Sequence, residues 1–296
     1  MNASRKVHIV PKINGEEASA VQFVIKQFEQ NNFTLVDMWD VDNRTVVVAI
    51  GGDGTVIHAA KMFAGFDCLI AGINLGHLGF LPDFEQSIED LESLMGFIED
   101  YPVGYEDEYD PSTLKDIADK YQVDIEHRHM LTYRPNGKFG SSALNEFYIT
   151  DKSNQVLKGE VHVDGALAFP FVGDGLIVGT PTGSTAYSLS AGGAIIDPKL
   201  RLIQITPVAS HMLTSRPVIV GDTEVVLKID DSCDPILIAD GQEINIRDIE
   251  GVNYHEVSIE YENEIGDRAR VIRNRKRHVN IFDVLKDKLY FSSRND

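Results

Sequence analysis

Basic residues are scarce in this chain of 296: 27 lysines and arginines stand against 46 aspartates and glutamates, a formal net charge of −19. That balance argues against non-specific binding to nucleic acid or to an anionic membrane, both of which need a positive face. It also means that any polyanionic ligand must be met locally, by glycine-rich N–H groups, a divalent cation or a few placed basic side chains. Cysteine is nearly absent as well. Cys68 and Cys233 fit no disulfide framework and no metal motif, so a reducing cytoplasm is the expected setting. No apolar run reaches membrane-spanning length, and Met1-Asn2-Ala3-Ser4-Arg5-Lys6 leads into a strand pattern without the marks of a signal peptide. Two glycine fingerprints are missing. No G-x-x-x-x-G-K-[ST] occurs, which excludes a P-loop, and after Gly173 and Gly175 the third glycine position of the Rossmann pattern is Val178.

What is present reads as a soluble globular protein of two domains or one large one, with 43% hydrophobic residues. Strand patterns at Val7–Val10, Thr34–Trp39, Val46–Ile50 and Leu69–Ile73 alternate with helical spacing at Val21, Val24, Ile25, Phe28 and at Ile88, Leu91, Leu94, Ile98. Alternation of that kind predicts an α/β domain with a parallel sheet, whose ligands bind beyond the carboxyl ends of the strands. Residues 100–122 are an acidic connection broken by Pro102 and Pro111, with a short helix expected over Leu114–Tyr121. From Val123 the texture changes to short alternating segments, at Val123–Glu126, Glu160–Asp164, Glu224–Ile229 and His255–Tyr261, divided by turns such as Arg134–Gly137 and Asp164-Gly165. This half is expected to be β-rich and largely antiparallel. A late basic run, Arg268, Arg270, Arg273, Arg275, Lys276, Arg277 and His278, reads as a solvated strand edge that blocks edge-to-edge pairing, with phosphate or a neighbouring subunit as the other readings.

Four stretches carry chemistry. Val46–Ile50 followed by Gly51-Gly52-Asp53-Gly54-Thr55 reads as a buried strand, a glycine turn bearing one carboxylate, and a helix start. Glycines there allow positive φ and close approach of a ligand, and the helix start suits phosphate. Asp53 would repel phosphate unless it binds a metal or takes a proton. Asn74-Leu75-Gly76-His77-Leu78-Gly79-Phe80-Leu81 is a second glycine-rich turn, with His77 open to either a structural or a binding role. Asn145-Glu146 sets an amide beside a carboxylate in a strand-like run, where neighbours face opposite ways unless the backbone bends. Ribose hydroxyls are natural partners for that pair. Gly173–Tyr187 crowds glycine, small hydroxyls, Asp174 and one aromatic into fifteen residues, which suits an aromatic base lying against backbone.

The Gly51–Thr55 turn resembles the signature shared by NAD kinases, diacylglycerol and sphingosine kinases and 6-phosphofructokinases. Gly51–Thr55, Asn74–Leu81, Asn145-Glu146, Asp174–Tyr187, His211…Arg216-Pro217 and Asp240-Gly241-Gln242, in this order and at this approximate spacing, are similar to the NAD kinases, and the segment Thr180-Pro181-Thr182-Gly183-Ser184-Thr185-Ala186-Tyr187 sets these apart from the other kinases. The resemblance implies their two-domain fold: an α/β domain over 1–122, a β-rich dinucleotide-binding domain over 123–278, and a C-terminal helix at Phe282–Phe291 returning to the first. It implies transfer of the γ-phosphate of ATP to the adenosine 2′-hydroxyl of NAD, with Mg²⁺ or another divalent cation as cofactor and no protein metal site assigned. The alternatives are a kinase of a lipid or sugar and a non-catalytic NAD(P)-binding regulator.

Residue by residue, Asp53 matches the catalytic aspartate, and Gly51, Gly52, Gly54 and Thr55 the phosphoryl-donor site. NAD contacts are implied for Gly54, Asn145, Glu146, Asp174, Thr185, Ala186, Tyr187, Ser188, Ser190, Ala209 and Gln242. Val172 departs from the pattern, being arginine in many bacterial members, which leaves a charge contact missing. A homodimer or homotetramer is implied too, with no nucleic-acid or membrane partner.

Overall fold

The computed structural model describes residues 5–12, 18–76, 79–102, 110–247, 249, 251–261, 268–277 and 284–285. Contacts divide the chain into one unit of residues 1–127 with 268–296 and a second of residues 128–267.

The first unit runs through β1 (Lys6–Pro11), α1 (Ala18–Gln30), β2 (Thr34–Leu35), β3 (Thr45–Gly51), α2 (Asp53–Phe63), β4 (Leu69–Asn74), α3 (Ile88–Asp100), α4 (Pro111–Tyr121) and β5 (Val123–His129). Together with the last strand, Arg268–Asn274, these build a sheet in the order β2, β1, β3, β4, last strand, β5. Pairing is parallel from β2 through the last strand. All seven residues of β3 are buried, as the β-branched run Val46-Val47-Val48 demands of a central strand. The register Gly51↔Asn74 ends β3 and β4 together, so both glycine-rich turns leave the sheet side by side.

In the second unit the strands are β6 (Leu131–Tyr133), β7 (Ser141–Ala143), β8 (Glu146–Asp151), β9 (Leu157–Val163), β10 (Ala166–Gly173), β11 (Gly175–Gly179), then a short helix α5 (Tyr187–Ser190), β12 (Ile203–Val208), β13 (Val218–Val220), β14 (Val225–Ile229), β15 (Pro235–Ala239), β16 (Gln242–Ile244) and β17 (Glu256–Tyr261). The last strand is β18. Two six-stranded sheets result, ordered β10-β9-β14-β17-β6-β7 and β13-β12-β11-β8-β15-β16. Their pairings are antiparallel. Phe147, Ile149, Leu176, Val178, Ile203 and Ile205 from one sheet share a core with Val161, Phe171, Leu227 and Val257 from the other. Asp164-Gly165 and Asp240-Gly241 both turn with positive φ (50° and 74°, 48° and 79°), closing the β9–β10 and β15–β16 hairpins.

Several expectations are corrected. Thr34–Trp39 is a strand only at Thr34–Leu35; a 3₁₀ turn follows at Met38–Asp40, leaving Trp39 86% exposed. The strand expected at Val123–Glu126 in the β-rich half is β5 of the first sheet. The basic run is no solvated edge: β18 lies inside the sheet, because each buried cation meets a carboxylate or carbonyl of its own unit. Within β18 buried Arg270 pairs with Asp67 and Arg273 with Asp83; past the strand, half-buried Arg275 pairs with Asp124 and Asp119, and exposed Lys276 and Arg277 with Glu89 and with Asp90 and Glu85. Within the acidic connection α4 is longer than expected, capped by Asp110 and packing Leu114, Ile117, Ala118 and Tyr121 on the first core. Residues 103–109, His77, Leu78, His278 and most of the expected helix Phe282–Phe291 lie outside the described residues, although Val284 and Leu285 are helical and buried. Among the described residues no helix is long and apolar enough to cross a membrane.

Candidate functional site

In the first unit the site is built on the carboxyl edge of β3. Asp53 opens α2, whose first N–H bonds run back to the Gly52 carbonyl. A carboxylate in a first helical turn lies at the positive end of the helix dipole. Its Oδ1 accepts the N–H groups of Phe80 (2.7 Å) and Leu81 (2.9 Å) from the second glycine-rich turn. That turn is a closed excursion: the Asn74 N–H donates to Phe84 O (2.7 Å) and the Phe84 N–H to Gly72 O (3.1 Å).

The glycines act by space and not by unusual φ, which corrects the expectation of positive φ at Gly51, Gly52 and Gly54; the helical turn begins at once and needs none. A Cβ on Gly51 would lie 2.1 Å from Thr55 Oγ1, and one on Gly79 only 2.6 Å from Asp53 Oδ1. At Gly52 and Gly54 a Cβ would meet nothing within 4 Å, so this stretch of backbone is open to approach.

In the second unit the site grows from sheet alternation. Phe147, Ile149, Leu176, Val178, Ile203 and Ile205 point into the core, which leaves Glu146, Tyr148 and Thr150 of β8, Gly175 and Gly179 of β11, and Gln204 and Thr206 of β12 on the opposite face. The Thr180–Ile196 segment is fastened to that polar face. Ser188 Oγ sits 2.8 Å from Thr206 Oγ1 and accepts from Gln204 Nε2, while Gln204 Oε1 accepts the Ala194 N–H at 2.9 Å. The hydroxyl of Ser188, expected to touch ligand, is thus fully buried and engaged within the fold, where it pins the segment.

The start of β8 meets the ends of β11 and β15. Asp240, after β15, accepts three consecutive N–H groups: Leu144 on Oδ2 (2.9 Å), Asn145 and Glu146 on Oδ1 (2.8 and 3.2 Å). Three neighbouring N–H groups converging on one carboxylate is not a strand pattern; it is the bend that the side-by-side amide and carboxylate required. Thr180 locks it from the other side, its hydroxyl donating to Leu144 O (2.6 Å) and its N–H to Asn145 O (2.8 Å). Gly183 packs flat on the same backbone, since a Cβ there would lie 2.1 Å from Asn145 O.

Glu146 is 92% buried, and its Oε2 has no hydrogen-bond partner. Burial, reinforced by the nearby Asp240 charge and opposed by the Tyr187 N–H, pushes its carboxyl up to about 7. A buried carboxyl with one unpaired oxygen is a ready partner for a ligand hydroxyl. Tyr187, 40% exposed, meets Tyr148 edge to face at 5.2 Å. Its phenol is held above the usual range by burial, by Tyr148 and by the charges of Asp174 and Glu146. Asp174 and Ala209 lie at the other end of β11, about 17 Å from Glu146 at the usual strand rise. Ala209 takes φ +45°, a strained value for a residue with a side chain. Thr185 and Ala186 are half-buried, and Ser190 and Gln242 are exposed, the last beginning β16 after the Asp240-Gly241 turn. Val172 is half-buried, and its carbonyl accepts from the His211 N–H (2.9 Å).

Sequence reasoning missed Asp240 as the organiser of the Asn145-Glu146 bend and Tyr148 as the ring beside Tyr187. The i, i+2 spacing of Glu146 and Tyr148 was the available signal.

Models of the ATP-NAD kinase N-terminal domain and C-terminal domain match residues 7–100 and 144–276. An NAD kinase of Fusobacterium nucleatum is 30% identical over 292 residues, spanning 96% of this chain and 97% of its own. One of Clostridium botulinum is 34% identical over 257 residues, 84% of this chain and 79% of its own. Among solved structures, yeast NADH kinase complexed with NADH superposes with a TM-score of 0.74 at 23% identity, over 100% of this chain and 90% of that one. An Archaeoglobus fulgidus NAD kinase in complex with ATP superposes at 0.67 and 23%, over 95% and 98%. At that identity the two structures speak for the fold.

Proposed function

The chain belongs to the NAD kinase family, and we propose that it phosphorylates NAD to NADP, moving the γ-phosphate of ATP to the adenosine 2′-hydroxyl. Phosphoryl transfer asks a protein for positioning and charge stabilisation more than for covalent chemistry. The observation that carries the reading is Asp53: a carboxylate at a helix start, in an open glycine turn, oriented by two backbone N–H groups. There it takes the proton of the attacking hydroxyl, a role worth about 10²–10⁴-fold. Gly51, Gly52, Gly54 and Thr55 offer the donor phosphates a helix N-terminus. A bound divalent cation such as Mg²⁺ would supply charge neutralisation at those phosphates, leaving Asp53 to accept the proton.

In the second unit we assign the ribose hydroxyls to Asn145 and Glu146 and the base to the Tyr187 ring. Asp174, Thr185, Ala186, Ser190, Ala209 and Gln242 line the same dinucleotide site, and Ser188 supports it from beneath. Two free cysteines suit a reducing cytoplasm. A homodimer or homotetramer completes the reading and is measured directly by light scattering.

The test is NADP formation from NAD, ATP and Mg²⁺ by purified protein. Asp53→Asn is expected to keep NAD affinity within several-fold, by calorimetry, while turnover collapses. Near-normal turnover in that variant removes Asp53 from the base role. NAD binding without product in the wild type points instead to a regulator.

A further inference from the structure

Arg273 belongs to the late basic run, 220 residues from Asp53 in sequence, and the reaction as read above gives it nothing to do. β18 carries it next to β4, with 7% of its surface exposed. Its Nη1 donates to the carbonyl oxygens of Phe80 and Leu81, both at 2.9 Å. Its Nε faces Asp83 at 2.8 Å and Glu126 at 3.5 Å. Phe80 and Leu81 are the two residues whose N–H groups hold Asp53 Oδ1.

The Phe80 carbonyl and the Leu81 N–H are the two ends of one peptide group. That peptide is gripped at its oxygen by a buried cation and at its nitrogen by the Asp53 carboxylate. Hydrogen bonds in series polarise one another, most strongly where the surroundings exclude water. A positive charge on the carbonyl therefore strengthens the N–H as a donor to Asp53 and fixes the rotation of its carboxylate.

The geometry points to Arg273 as a positioning residue for Asp53, acting through the Phe80–Leu81 peptide. This rests on the assignment of Asp53 as the base. Two carbonyls and a carboxylate held by one side chain need the planar fork of a guanidinium. A lysine in its place neutralises Asp83 and Glu126 as a point charge but cannot grip all three. A purely structural ion pair would survive Arg273→Lys, whereas the relay would not.

The experiment compares wild type, Asp53→Asn, Arg273→Lys and Gly79→Ala. The last attacks the relay from its other side, since a Cβ on Gly79 would meet Asp53 Oδ1 at 2.6 Å and the Pro82 ring at 2.5 Å. Each is measured for kcat and KM with NAD, for NAD affinity by calorimetry and for thermal melting. Arg273→Lys and Gly79→Ala are expected to lower kcat by about 10- to 100-fold, as small misplacements of a reacting group do. KM and calorimetric affinity should stay close to wild type, while melting is expected to fall in both variants, since the guanidinium is buried and a Cβ on Gly79 forces Pro82 to shift. Wild-type kcat in Arg273→Lys, with Asp53→Asn inactive, overturns the relay and leaves the base assignment standing. Full activity in Asp53→Asn overturns that assignment instead. Should Arg273→Lys fail to fold, Arg273→Gln takes its place, keeping a donor for the carbonyls without the charge: wild-type kcat there sinks the proposal, and a loss confined to kcat supports it.

Discussion

Burial separates Glu146 from Asp174, which precedes β11 and stands in solvent. A carboxyl pushed up to about 7 from an ordinary 4.5 binds its proton more tightly in the folded chain than in the unfolded one. Between those two values the folded state therefore holds more protons, and stability falls as pH rises. The shift corresponds to roughly 3 kcal/mol of cost once the group is fully ionised. Glu146→Gln is expected to raise the melting temperature at pH 8 and to change it little at pH 4, as thermal melts at both pH values will tell. The same substitution should weaken NAD binding, because an amide is a poorer acceptor for two hydroxyls. Stability gained and affinity lost together would mark the site as one that carries strain for its ligand.

At the scale of elements, the Asp240-Gly241 hairpin is worth more than its two residues. One carboxylate collects the N–H groups of 144, 145 and 146, so the β15–β16 turn dictates how β8 begins. Asp240→Ala leaves those donors without their acceptor, at about 2 kcal/mol of stability. A loss of at least tenfold in NAD affinity is expected, and calorimetry on the folded variant measures it.

Elements were legible where local pattern and final burial agree. Val46–Ile50 is apolar on both faces and is buried on both; Asp164-Gly165 is a hairpin turn by composition alone. Thr34–Trp39 misled because its alternation ends in a turn whose exposure periodicity does not encode. β18 misled for a different reason: its arginines look solvated until Asp67, Asp83, Asp90 and Asp124 are brought to them from as far as 203 residues away. Motif spacing singled out Asp53 and Asn145-Glu146 as candidates, but hydrogen-bond direction, as at Ser188 and Arg273, is written only in three dimensions.

Over the whole molecule, a charge of −19 makes the chain repel itself. The Debye length shrinks from about 30 Å at 0.01 M salt to about 8 Å at 0.15 M. Long-range repulsion is therefore screened across that range, while the short, part-buried pairs of β18 are screened much less. Melting temperature is expected to rise by a few degrees from low to physiological salt, to a similar extent in NaCl and KCl, by scanning fluorimetry. A fall would mean that the ion pairs outweigh the net charge.

The place of β18 in the first sheet also sets a timetable. The second unit is a continuous stretch, residues 128–267, and can fold as soon as it has left the ribosome. The first sheet cannot: β4 waits for a neighbour that is made some 200 residues later. Arg273 arrives on that same strand, so the Asp53 turn receives this support only after the whole second unit has been made. A chain ending at residue 267 would hold the whole second unit while lacking β18, and with it the Arg273 grip on the Phe80–Leu81 peptide.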